Sequence, residues 1–127
     1  MNDCIIGIGS NIDAEENIAK MFRLLANDVE IIKVSSMVQT KPIGIIEQDD
    51  YTNGAVRIWT EMDLKTLTLY LKKLEDRIGR DRNQKRFGPR NIDLDILIWN
   101  NTIIDPDYFT REFLQNSAAE LGFESKS

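Results

Sequence analysis

The sequence predicts an α+β domain in which four strands form one antiparallel sheet and two main helices cover one face. Three observations support it. Apolar, branched segments and helical repeats follow one another in the order β-α-β-β-α-β. Each helical repeat opens on a capping signal. The chain has 127 residues, 42% of them hydrophobic and 29% charged, which suits one domain with a modest core. That order is the split βαβ pattern of a ferredoxin-like βαββαβ sandwich.

The first strand is "CIIGIGSN", an apolar run that breaks into Gly, Ser and Asn. Asp13, with Glu16 three residues on, has capping-box spacing, and Ala14, Ile18, Met21 and Leu25 then recur at helical intervals to about residue 27. Branched residues make "VEIIKVSSMVQT" the second strand, and Pro42 and Gly44 make "KPIGIIEQDD" a loop. "YTNGAVRIWT" is the third strand. Asp63 caps a second helix with the stripe Leu64, Leu67, Leu71, Leu74 and Ile78, and Gly79 stops it. An arginine-dense loop spans 80–91, and "IDLDILIW" is the fourth strand. A hairpin remnant, a short helix near 107–120 and a tail follow. With no repeat or linker, residues 1–127 are expected to be a single domain, the tail 121–127 disordered. The sheet face away from the two helices is expected to stay free for ligand.

Composition removes several chemistries. The chain has one cysteine and no histidine, so an internal disulfide, a Cys/His zinc site and imidazole acid–base catalysis are excluded. Cys4 reads as a small buried residue. No run has the length of a membrane span and no cleavable signal opens the chain, so a cytoplasmic protein with no membrane partner is expected. The formal charge of -5 is unevenly spread: residues 77–90 hold six Lys or Arg against one Asp, leaving ten basic and twenty acidic residues elsewhere. A cationic segment on an acidic body points to a local anion site rather than a nucleic-acid surface.

Two groups of residues carry chemistry. Asp93 and Asp95 point to the same strand face with Cα atoms about 6.6–6.8 Å apart, while Ile92, Leu94, Ile96 and Ile98 are expected to face the helices. Two such carboxylates suit a hard divalent cation, although D-x-D also fits a solvated strand face. The preceding loop favours the cation: Arg80, Arg82, Lys85, Arg86 and Arg90 offer donors to phosphate, and Gly88-Pro89 sets a tight bend. Carboxylates beside guanidiniums are recurring parts of phosphoryl transfer. No G-x-x-x-x-G-K-[ST] loop is present; Gly7 and Gly9 read as positions of close packing and a turn. Thr40, Tyr51 and Asn53 offer a hydroxyl, an aromatic plane and an amide to a planar heterocycle, or are ordinary strand residues.

Taken together, "IGIGSN", "TKPIG…DYTNGAV" and "RFGPRNIDLDILI" resemble hydroxymethyldihydropterin pyrophosphokinases over roughly residues 3–104. G-P-R-x-x-D-L-D-I is the specific signature. The resemblance implies transfer of diphosphate from ATP to the hydroxymethyl group of 6-hydroxymethyl-7,8-dihydropterin, releasing AMP, in folate biosynthesis. It implies that Asp93 and Asp95 hold two Mg²⁺ and that Arg80 and Arg90 neutralise charge during transfer. Thr40, Ile43, Tyr51, Asn53 and Phe87 match pterin-pocket positions, and Phe113 a second stacking aromatic. Glu75, Arg82, Ile96 and Arg111 match positions near ATP. Loops 43–50 and 80–91 would be moving lids. The implied partners are these two small molecules, with no nucleic acid, and a monomer or weak homo-oligomer. The chain departs from the family after the fourth strand, where the segment is short and the Pro-His pair is missing. The alternative is therefore a catalytically weak or inactive pterin- or phosphate-binding relative.

Overall fold

The computed structural model describes residues 1–41, 50–79 and 91–124. Among them, six strands form one antiparallel sheet: β1 (Asn2–Ser10), β2 (Glu30–Val34), β3 (Val38–Thr40), β4 (Tyr51–Thr60), β5 (Asp93–Trp99) and β6 (Thr102–Ile103). The helices are α1 (Ala14–Leu25), α2 (Leu64–Ile78) and α3 (Glu112–Glu120). The strand order β2-β4-β1-β5-β6, with β3 also paired to β4, is the ferredoxin-like order the sequence predicts, with an added hairpin strand.

Strand β1 runs through the middle, with Ile6 opposite Val56 on β4 and Ile96 on β5. Its alternation divides the molecule. Cys4, Ile6 and Ile8 join Val56, Ile58 and Leu94 under α1 and α2, whose buried stripes are Ile18, Met21 and Leu25 and Leu67, Leu71, Leu74 and Ile78. Burying each such side chain contributes about 1.5–3 kcal/mol before entropy is counted. Burial pushes the Cys4 thiol up to about 12, with the charge of Asp3 adding to the shift. It is a packing group, not a nucleophile.

Helix α2 begins as the sequence predicts, with Asp63 accepting from Thr66 N at 2.7 Å, and ends on Gly79 at φ 107. Helix α1 does not. Asp13 sits in the left-handed region (φ 42) and its side chain makes no cap bond. Instead Asn17 Nδ2 reaches back to Ile12 O at 2.7 Å.

The expected second strand is two strands. The chain breaks at Ser35, whose hydroxyl accepts from Ala55 N at 2.8 Å, and Met37 lies against Gly54, where a Cβ would come within 2.3 Å of its sulfur. Only a glycine on β4 admits that crossing.

Among the described residues the second sheet face is half covered, not free. Ile5, Ala55, Leu97 and Ile98 form a second core with Tyr108, Leu114, Ala118, Leu121 and Phe123 from a short 3₁₀ turn (Pro106–Phe109), α3 and the chain after it. Strand alternation predicts Ile98 on the helix-covered face. A bulge moves it: Ile5 pairs with Ile98 and Ile6 with Ile96, so Leu97 is an extra residue and the alternation reverses. Residues 121–124 also differ from the expected disordered tail. Leu121 and Phe123 are buried, and Arg57 Nη1 donates to Leu121 O at 3.0 Å. Residues 125–127 lie outside the described chain.

Candidate active site

Among the described residues, the half of the second face that α3 leaves uncovered is a trough with β1 as its floor. Gly9 pairs with Asn53 on one side and Asp93 on the other; Gly7 pairs with Ala55 and Asp95. Glycine leaves the floor without side chains. A Cβ on Gly9 would stand 3.1 Å from Asn53 Oδ1, 3.6 Å from the Tyr51 ring and 4.0 Å from Asp93 Cβ. Adjacent strands lie about 4.8 Å apart, so the β4 and β5 walls are about 10 Å apart, enough for a planar ring or a phosphate chain. Leu97 closes one end, its side chain 3.3 Å from where a Gly7 Cβ would be.

The walls differ chemically. The β4 wall presents Tyr51 and Asn53, both half-buried, and Asn53 Nδ2 donates to Thr40 Oγ1 on β3. The β5 wall presents Asp93, half-buried, and Asp95, exposed. Its entry is held beside the end of β1 by fully buried Ser10, whose hydroxyl donates to Asn91 O at 2.6 Å. The structure thus brings Thr40, Tyr51, Asn53, Asp93 and Asp95 to one face of one sheet. It does not bring Glu75 and Ile96 there. Glu75 lies on α2, 2% exposed, and its carboxylate accepts from Leu94 N at 2.8 Å from the helix-covered side of β5; Ile96 packs against that same core. Arg111 stands at the start of α3 with its guanidinium 3.6 Å from Asp107, and Phe113 packs against the second core. Ile43, Arg80, Arg82, Phe87 and Arg90 lie outside the described residues.

The floor is what sequence reasoning assigned elsewhere. From the sequence alone Gly7 and Gly9 are packing and turn residues, yet their spacing of two on a strand puts both on the face of the carboxylates. The donor set fits Mg²⁺. Among the described residues no three His, Cys, Asp or Glu cluster, so two strand carboxylates offer hard oxygens without a closed protein cage. Mg²⁺ keeps waters and phosphate oxygens in its remaining positions. A cavity of about 310 Å³ lies at the other end of β1, lined in part by Asp3, Arg57 and Asn100. Its charges are mutually satisfied, with Arg57 bonding Asp3 at 2.6 Å.

Comparison with known proteins shows the family of the chain. The family model for 7,8-dihydro-6-hydroxymethylpterin-pyrophosphokinase (HPPK) matches residues 5–122. The chain is 37% identical over 131 residues to 2-amino-4-hydroxy-6-hydroxymethyldihydropteridine pyrophosphokinase of Bacillus subtilis, covering 94% of this chain and 78% of that protein. It is 32% identical over 108 residues to the protein of the same name from Haemophilus influenzae, covering 83% of this chain and 67% of the other. It is 33% identical over 107 residues to an Arabidopsis thaliana folate synthesis bifunctional protein, covering 83% of this chain but 22% of that longer one.

Proposed function

The chain belongs to the hydroxymethyldihydropterin pyrophosphokinase family, and from that premise we propose that it moves diphosphate from ATP to 6-hydroxymethyl-7,8-dihydropterin, a step of folate biosynthesis. The observation that supports this reading best is the two-walled trough: an aromatic and amide wall for a heterocycle faces a carboxylate wall for a metal-bound polyphosphate, with glycine between them.

On this reading Tyr51 stacks on the pterin and Asn53 hydrogen-bonds its edge. Asp93 and Asp95 would hold Mg²⁺, two ions being expected, and the metal would supply neutralisation of triphosphate charge. The hydroxymethyl oxygen attacks the β-phosphorus. A new O–P bond forms, the bond to the α,β-bridging oxygen breaks, AMP leaves with that oxygen, and the hydroxyl proton is released. Arg80 and Arg90 neutralise charge on the departing AMP oxygen. Glu75, Arg82, Ile96 and Arg111 are assigned to the nucleotide, with Glu75 and Ile96 on the helix-covered side of β5. Ile43, Phe87 and Phe113 complete the pterin pocket. Among the described residues no helix is long and apolar enough to cross a membrane. We assign a cytoplasmic setting, no nucleic-acid or membrane partner, and a monomer or weak homo-oligomer.

The test is AMP formation from ATP, Mg²⁺ and the dihydropterin, with Asp95→Ala as control. Pterin-dependent AMP that disappears in the control is the expected result. AMP that forms without the pterin, or survives in the control, overturns the assignment.

A further inference from the structure

Strand β2 is an edge of the sheet. It pairs with β4 on one side, and among the described residues no strand pairs its other side. An open edge shows N–H and C=O groups to any passing strand, and proteins guard such edges with short strands, bulges and lysine. Strand β2 has all three. It is five residues long, carries Lys33, and has Ile32 as an extra residue between the pairs Ile31–Ile58 and Lys33–Arg57. Yet it is apolar where it is open, with Ile32 38% and Val34 42% exposed. The bulge decides what can fit there. Glu30 pairs with Trp59 and Lys33 with Arg57, so both point to the second sheet face, while Ile31 and Val34 pair with Ile58 and Val56 and point to the helix-covered one. Without the extra residue Glu30 and Lys33 would lie on opposite faces.

We propose that β2 is a self-association edge: two copies of the chain pair it antiparallel about a two-fold axis and join their sheets into one. In the register that the bulge allows, Glu30 of each copy lies opposite Lys33 of the other, on the same face. Ile31 then faces Ile32, and Val34 faces Val29, which packs at the margin of the helix-covered core. Apolar groups meet apolar groups and the charges pair twice. Both charges are available, since Glu30 and Lys33 are exposed and form no ion pair among the described residues; Lys33 acts on Glu120 through its charge alone. The lysine and the bulge that turn away a foreign strand are thus complementary to a second copy. Five residues a side fall far below the 20–30 of a standard interface, about 800 Å² per partner, so the dimer is weak and forms with rising concentration. It does not depend on the pyrophosphokinase reading, and it narrows the oligomeric assignment to one surface.

Sedimentation equilibrium of the full chain, from micromolar to near-millimolar protein, tests this. The parent is expected to pass from monomer to dimer across that range. Glu30→Lys and Lys33→Glu each set like charges opposite one another twice in the dimer, and each should weaken self-association by about tenfold or more. Both residues are exposed, so both variants should keep a thermal midpoint close to that of the parent. Mixed in equal amounts, the two variants should associate again, because each supplies the charges that the other lacks. A parent that stays monomeric throughout overturns the proposal and leaves the edge to a partner of another kind. A dimer that survives either single change, or that is not regained on mixing, overturns it as well.

Discussion

The two halves of the second sheet face are made by the same three strands, yet among the described residues one is packed and the other open. In the packed half, β1, β4 and β5 contribute Ile5, Ala55, Leu97 and Ile98, and α3 with its flanking segments covers them. In the open half the same strands contribute Gly7 and Gly9, Tyr51 and Asn53, and Asp93 and Asp95. Backbone pairing is continuous across both. The difference lies in the side chains. Apolar groups recover free energy when a helix covers them, whereas carboxylates and amides lose hydration unless a ligand replaces it. The boundary is Leu97, an extra residue at a bulge that leans over Gly7. A single strand thus serves as core at one end and as site wall at the other.

The largest expected effect separates the halves outright. Asp95→Ala should lower transfer by about 10²–10³-fold, while its thermal midpoint stays close to that of the parent because the residue is exposed. A collapse of the fold in this variant would mean that the open half is structural after all. Leu121→Ala is the converse. Leu121 is 2% exposed in the second core, so its loss should destabilise the protein by about 2–5 kcal/mol, read from denaturant unfolding, with pterin affinity of the folded fraction unchanged.

Gly9→Ala tests the floor. The added methyl would sit 3.1 Å from Asn53 Oδ1 and push the amide out of place. Pterin affinity should fall by about tenfold, the loss of one well-made hydrogen bond, while unfolding free energy holds or rises because the unfolded chain loses freedom. Unchanged binding would show that the ligand does not approach β1.

The smallest effect concerns the tie between the halves. The Ser36 side-chain and backbone bonds hold the Glu120 carboxyl below its ordinary value. A lowered folded value means that this contribution is present above the ordinary carboxylate range, about 4, and is lost as pH falls through the lowered value. Asp63, held down by Thr66 at the start of α2, behaves in the same way. Melting followed from pH 6 to pH 3 should therefore show a falling midpoint, less steep in Glu120→Gln than in the parent. An identical slope in both would show that the Ser36 contact is not kept in solution.

The sequence by itself determined the βαββαβ order, the capped start and glycine stop of α2, and the placing of Asp93 and Asp95 on one face. Each is a local matter of periodicity, capping chemistry or a two-residue repeat. Asp13 misled because capping-box spacing does not fix the backbone, and a left-handed residue turns its side chain away. Only the tertiary structure decided what covers the second face. The bulge at Leu97, the break at Ser35 and the burial of Leu121 and Phe123 arise from contacts between residues distant in the chain, which carry no local period. Glu75 shows the same limit. Nothing local to its sequence gives the contact of its carboxylate with the Leu94 N–H, a partner 19 residues away that α2 packing on β5 brings close. The trough depends on both: the sequence supplied its glycines and carboxylates, and the pairing of β1 between β4 and β5 set them side by side, because strand neighbours are chosen by the packing of the whole sheet.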